Sequence, residues 1–289
     1  MWDYSTAAEE LLRGAYDLHV HSLPSVFARE QDGMEIIREA GKAGMAGVLL
    51  KSHYEPTALR AELINRYSGS SAKAYGGLVL NWPVGGLNAY AVEEAARAGA
   101  KIIWMPTRDA ANSLVFGNME GDFFRRSGIS VTDENDNLKD CVYDIMDIVK
   151  KADIFLATGH LSVKESILLC REGRMRGVNM IFTHPEFPRT FTGAEVQKEL
   201  AGMGVLIEKN WLDIVIGQVT AEEMAFNIRE VGTARCYIST DRGQKNGGAP
   251  VREMKRFIEE LLKAGITEEE IRDLANRVPE SIAERNGTV

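Results

Sequence analysis

Residues 15–22 read AYDLHVHS, a short apolar run from Ala15 that ends in His19 and His21, one residue apart. The run has the length and character of a buried β-strand, with a turn signal at Ser22 and Pro24 just beyond it. Side chains two apart on a strand project to the same face, so His19 and His21 present two ring nitrogens to one point. Two buried imidazoles side by side need partners, and a metal ion supplies them.

The same pattern recurs along the chain. Strands are expected at Ala15–His21, Ala46–Lys51, Ala74–Asn81, Lys101–Pro106, Ile154–Thr158, Asn179–Thr183, Val205–Glu208 and Cys236–Thr240. All five histidines, His19, His21, His53, His160 and His184, fall at or just past a strand end. Amphipathic stretches between the strands, among them Gly33–Ala43, Leu138–Lys151, Val163–Arg174 and Pro250–Ala264, read as helices. The repeat of roughly 25 to 35 residues is that of a βα unit. A doubly wound sheet gathers its ligand at one switch point, whereas a barrel converges every strand end on one axis. Signals on so many strand ends therefore predict an α/β chain folded as one (β/α)₈ TIM barrel over residues 1–289. Thr267–Asn286, with its Thr-x-x-Glu capping box, is expected as a C-terminal helical appendage. The connection 107–137 after the fourth strand is far longer than usual and reads as a loop insertion.

Each strand end carries its own chemistry. LLKSHYE (49–55) places Lys51 and His53 on one face. An inward lysine is costly unless it is paired or modified, and a carbamate on Lys51 competes with an ion pair to Asp17 or Glu208. Thr158-Gly159-His160 and Thr183-His184-Pro185 each offer one imidazole, with Gly or Pro turning the chain away. Ser239-Thr240-Asp241 ends the eighth strand with a carboxylate placed to bind metal and to accept a proton from water. Arg29, Arg108, Arg189, Lys209 and Arg242 follow strands, and the guanidinium groups are expected to bind an acidic substrate. Trp82, Trp211, Phe187 and Tyr54 are candidates for apolar walls, and Glu208 for a second acceptor behind the site.

Bulk properties narrow the class. A net charge of −8 argues against nucleic-acid and anionic-membrane partners, since no basic stripe is present to displace counterions. Neither a secretory leader nor a long apolar span is evident, so a cytoplasmic protein is expected. Cys141, Cys170 and Cys236 are odd in number and widely spaced, and suggest neither disulfides nor a thiolate metal site. A homo-oligomer is compatible with the sequence.

The ordered set DLHVHS, an inward lysine, TGH, THP and STD resembles the amidohydrolase superfamily of metal-dependent barrel hydrolases. The resemblance spans nearly the whole chain and implies one or two divalent ions held by His19, His21, His160, His184 and Asp241. Zn²⁺ is the expected metal, with Mn²⁺, Fe²⁺ and Ni²⁺ as alternatives. The superfamily's bridging lysine usually lies on the fourth strand, yet KIIWMPT (101–107) offers only Lys101 at its wrong end. A carbamylated Lys51 would take that place, or the site holds a single metal. The second-strand motif is also similar to that of the polymerase-and-histidinol-phosphatase family, with His53 at the matching histidine. That family's closing Asp-x-His is replaced here by Asp241-Arg242-Gly243. Catalysis is expected to centre on Asp241 and His184, acting on a small anionic amide, lactone or ester. A phosphoesterase, a metal-dependent decarboxylase and a non-catalytic metal-stabilised barrel are the alternatives.

Overall fold

A computed structural model describes residues 3–117 and 126–285. Strands β1 (Tyr16–Val20), β2 (Gly47–Leu50), β3 (Lys73–Val79), β4 (Ile102–Trp104), β5 (Phe155–Ala157), β6 (Asn179–Phe182), β7 (Leu206–Asn210) and β8 (Cys236–Ser239) are all parallel and pair in sequence order. Because both faces of such a sheet are covered, the strands read as near-continuous apolar runs, which is why they stand out in the sequence. The ring closes between β8 and β1. There His21 N–H donates to the Arg242 carbonyl (2.8 Å) and Asp241 N–H to the His19 carbonyl (2.9 Å). Below them a side chain replaces the ladder: Asp17 accepts from the Thr240 N–H (3.0 Å) and hydroxyl (2.6 Å). Burial pushes the Asp17 carboxyl up to about 7. Asp17 is thus a stitch in the seam, and not the partner of Lys51.

The helices, in order, are α1 (Tyr4–Leu11), α2 (Gly33–Lys42), α3 (Ala58–Tyr67), α4 (Ala89–Arg97), α5 (Ala111–Phe116), α6 (Asp140–Lys151), α7 (Val163–Met175), α8 (Ala194–Gly202), α9 (Trp211–Val215), α10 (Ala221–Val231), α11 (Pro250–Lys263), α12 (Glu268–Arg272) and α13 (Val278–Ala283). Capping boxes at Asp32/Glu35, Ser162/Glu165, Thr220/Glu223 and Thr267/Glu270 start α2, α7, α10 and α12. Of the long connection 107–137, residues 118–125 lie outside the described residues, and the remainder carries α5.

The C-terminal segment is more than an appendage. Val278, Ile282 and Ala283 pack in one cluster with Tyr16, Leu18, Leu49, Tyr75, Phe155 and Tyr237 from the barrel interior. The last helix therefore makes the floor of the barrel, at the end opposite the histidines.

Strand alternation sorts the side chains of β7. Glu208 enters the barrel, so Lys209 must face the surrounding helices. There it is fully buried and donates to Glu186 and to Gln197 of α8, while Gln197 and Asn227 of α10 also donate to Glu186. Lys209, expected among the cations of the active face, instead ties β7 to the helix layer.

Several strands end earlier than expected. Lys51, Asn81, Pro106, Thr158, Thr183 and Thr240 lie just outside their strands, because the backbone leaves the sheet to aim the residues that follow. Among the described residues five non-glycine positions have positive φ, Asp136, Asp153, His184, Asp241 and Asn246, and two of these, His184 (φ 26°) and Asp241 (φ 49°), lie just past strand ends. Strain of this kind in non-glycine residues concentrates at functional sites.

Candidate active site

The two first-strand histidines reach the barrel interior because β1 is irregular. Its register against β2 shifts between Asp17 and Val20. Leu18 joins the interior cluster while Val20 joins the outer core, and His19 and His21 still enter together. At β8 the left-handed Asp241 turns its carboxylate toward them. Gly243 follows with φ 116°, and a Cβ there would lie 1.8 Å from the His21 carbonyl oxygen, so only glycine lets β8 approach β1 this closely.

The five imidazoles form a closed ring of neighbours. Centroid separations are 5.5 Å for His19–His21, 4.8 Å for His21–His53, 6.5 Å for His53–His160, 5.0 Å for His160–His184 and 5.9 Å for His184–His19. Every one is anchored through Nδ1. His19 donates to Glu208 Oε1 (2.9 Å) and His21 to the Lys51 carbonyl (3.0 Å). His53 bonds Thr107 Oγ1 (2.9 Å), His160 bonds Ser113 Oγ (3.4 Å) and His184 bonds Thr190 Oγ1 (3.3 Å). Thr190 gives its own proton to the His184 carbonyl (2.8 Å), so it accepts from His184. Anchoring Nδ1 fixes the direction of Nε2, the arrangement by which proteins orient metal-binding histidines, and in His19 and His21 that nitrogen meets Asp241.

The electrostatics agree with that arrangement. Burial holds His21 and His184 down to about 3, and His53 and His160 well below the usual imidazole range. Neutral rings with a fixed Nδ1–H carry a lone pair on Nε2. His184 Nε2 is buried without a hydrogen-bond partner, an atom that calls for an ion or water. Burial opposes protonation of His19 too, but Asp241 and Glu208 outweigh it and raise the ring to about 9. Despite the cost of its own burial, the Asp241 carboxyl is held well below its usual range by His19 and His21.

His19, His21 and Asp241 form the tightest donor set, with ligand atoms within 4.8 Å of one another. Asp241 Oδ1 lies 3.2 Å from His19 Nε2 and 3.0 Å from His21 Nε2. Lys51 enters the same group: its Nζ is 2.8 Å from His19 Nε2 and 5.1 Å from the Trp104 ring centre. Burial lowers Lys51 to about 8 against the pull of Asp241 and Glu208. Glu208 itself is directed at His19.

Above the donor set opens a cavity of about 570 Å³. His19, His21, Lys51, His53, His160 and Asp241 line its base, with Arg29, Arg108 and Arg189 at its walls. Phe27 and Phe187 supply apolar surface. Arg242 is directed elsewhere: its guanidinium donates to the Gly247 carbonyl and lies 4.0 Å from Glu253. Of the expected aromatic walls Phe187 lines the cavity, whereas Trp211 is buried on Phe257 (5.5 Å) with its N–H on Glu253 (2.8 Å). Trp82 bonds the Ser127 carbonyl at the surface (2.7 Å).

Some residues of the site carry no sequence signal. Thr107 and Thr190 are single hydroxyls in loops and Ser113 one in the short helix α5, and only the fold shows which histidine each one anchors. Asn81 is the hub between three strand ends. Its amide donates to the His53 carbonyl and to Thr107 Oγ1, both at 2.8 Å, and its oxygen accepts from Thr107 N–H (2.9 Å) and Asp109 N–H (3.1 Å). Asn81→Ala, which orphans these buried groups, is expected to cost about 2 kcal/mol, read as a shift in the urea midpoint at constant m.

Fold and donor set together define an eight-stranded parallel α/β barrel with a buried His-His-Asp group at one end. Solved structures of similar fold include an amidohydrolase from Pseudomonas aeruginosa (TM-score 0.63, 15% identity, covering 96% of this chain and 99% of that one). A probable 2-pyrone-4,6-dicarboxylic acid hydrolase from Acinetobacter baumannii gives a TM-score of 0.60 at 10% identity, over 94% of this chain and 100% of that one. The 2,6-dihydroxybenzoate decarboxylase from Rhizobium gives 0.52 at 12% identity, over 94% and 99%. At such identities the likeness is one of fold. By sequence the chain belongs to DUF6282, a family of unknown function, whose model matches residues 14–208. The match takes in all five histidines, Lys51 and Glu208. No curated protein matches the chain. Among the described residues no helix is long and apolar enough to cross a membrane.

Proposed function

We propose that the protein is a metal-dependent hydrolase of a small anionic amide, lactone or ester. The observation that carries this reading is the set of five imidazoles, each hydrogen-bonded through Nδ1 and gathered around the buried His19, His21 and Asp241 donor set beside an open cavity. His19, His21 and Asp241 would hold one divalent ion, with His53, His160 and His184 as candidates to contribute to a second. Such an ion supplies Lewis acidity, polarising a carbonyl and acidifying water. The chain's own groups do the rest. Glu208 fixes the His19 ring, Asp241 takes up the proton released from attacking water, and His184 stands ready to pass one on. The arginine-bearing walls hold the acidic end of the substrate, and Phe27 and Phe187 keep water from its apolar part. A barrel holding metal only for stability predicts a closed donor set, whereas this one faces a cavity.

Elemental analysis of protein purified without chelator, with bicarbonate present, tests the reading first. Retention of one or two equivalents of divalent metal is expected. Two would favour a carbamate on Lys51 as a bridge, and one would leave Lys51 as an ammonium. Failure to hold any metal after reconstitution would remove the proposal. Chelation is expected to lower the melting temperature, because ligand binding to the folded state alone stabilises it by several kcal/mol at about 1,000-fold excess over Kd. The decarboxylase among the structural neighbours motivates a second assay. A panel of amides, lactones and phosphoesters, run alongside detection of released CO₂, separates hydrolysis of each bond type from decarboxylation.

A further inference from the structure

Glu208 gives only one of its oxygens to His19. Its Oε1 accepts from His19 Nδ1 (2.9 Å), whereas its Oε2 is buried and closes no hydrogen bond of full geometry. In the parallel register of β7 and β8, Glu208 lies directly beside Tyr237. Side chains at paired positions of neighbouring strands, about 4.8 Å apart, leave the sheet on the same face. Both therefore enter the barrel, and both are fully buried. The Tyr237 hydroxyl likewise closes no hydrogen bond of full geometry. A buried phenol needs a partner, and a bare buried carboxylate oxygen is costlier still. Burial first, and then the charge of Glu208 and hydrogen bonding to it, hold the Tyr237 phenol well above its usual range, so it keeps its proton and is a donor. The ring below that hydroxyl packs in one cluster with Val278, Ile282 and Ala283 of the barrel floor.

We infer that Tyr237 is a positioning residue: its hydroxyl serves as the donor to Glu208 Oε2, and Glu208, held at both oxygens, fixes the ring of His19. The chain of contacts runs upward from the floor of the barrel to the donor set, and Tyr237 itself touches neither ion nor substrate. A carboxylate held at Oε1 alone is free to turn about its last bond and to carry the His19 ring with it. With a second donor on Oε2 its plane is set and its charge stays behind the ring, which strengthens the ring nitrogen facing the ion. This inference rests on the reading of His19 as a metal ligand, but it concerns how that ligand is set and not the bond that breaks.

Tyr237→Phe removes the hydroxyl and keeps the ring on the floor. Zn²⁺ affinity of the full-length protein, read by competition with a chromophoric chelator, is expected to fall about 10-fold in this variant. In the Glu208→Gln background the same substitution should change it by less than about two-fold, because the charged link is already cut. A loss of equal size in both backgrounds would assign Tyr237 to packing alone and overturn the inference, as would an unchanged affinity in the first. A second readout needs no metal. In protein with isotope-labelled histidine, exchange of the His19 Nδ1 proton with water should quicken about 10-fold in Tyr237→Phe, the value of one charge-assisted hydrogen bond. An unchanged rate would overturn the inference. If the variant does not fold, the wild-type chain still answers: a Tyr237 hydroxyl proton shifted downfield and protected from exchange is expected, and its absence counts as refutation. A chain that holds no Zn²⁺, yet whose His19 proton responds to Tyr237→Phe, would sink the metal-dependent reading and leave the link from Tyr237 to His19 standing.

Discussion

Asp241→Asn is expected to lower turnover by about 10²- to 10⁴-fold while leaving metal content nearly unchanged. Asp241 is the one carboxylate among the described residues lining the cavity, and its Oδ1 stands between His19 Nε2 and His21 Nε2. Asparagine keeps the shape and one oxygen in the same place, so a neutral ligand is retained. What it cannot do is take up a proton. Rates on whichever compound of the panel reacts, set beside elemental analysis of the same preparation, give the two numbers needed. Parallel loss of rate and metal would make Asp241 a ligand only, and an unchanged rate would remove it from the chemistry.

The second large effect lies outside the barrel. Lys209→Met should destabilise the fold by about 3–5 kcal/mol, because it leaves the fully buried Glu186 carboxylate without its cation. Gln197 and Asn227 still donate to that carboxylate, but neutral donors do not replace a charge. Glu186→Gln in the same chain should recover most of the loss, since removing both members of a buried pair can be nearly neutral. Denaturant midpoints of the two single variants and the double close the cycle. A loss below about 1 kcal/mol in Lys209→Met would show that the pair does not carry β7 against α8.

These cases mark how far the sequence reaches. All eight strands were legible because parallel strands buried on both faces leave long apolar runs, and the five histidines at their ends come together at one end of the barrel. Lys209 shows where a rule was available: once Glu208 is placed inside, alternation sends its neighbour outward. Asp17 shows where none was, because its partner Thr240 is 223 residues away across the seam. Arg242 follows a residue in left-handed backbone, and strand parity ends at such a residue. The hydroxyl anchors of His53 and His184 are loop residues and that of His160 sits in the short helix α5, where no periodicity marks them, so their pairing waits on the tertiary fold.

The floor of the barrel has a consequence for how the molecule comes to exist. Val278, Ile282 and Ala283 leave the ribosome after all eight strands have been made, yet they cover Tyr16, Leu18 and Tyr75 from the first three. Until that late segment arrives, a nascent chain has a complete wall and an open, greasy underside. The finished vessel has its bottom stoppered by the last-made segment, at the end opposite the arginine-lined mouth.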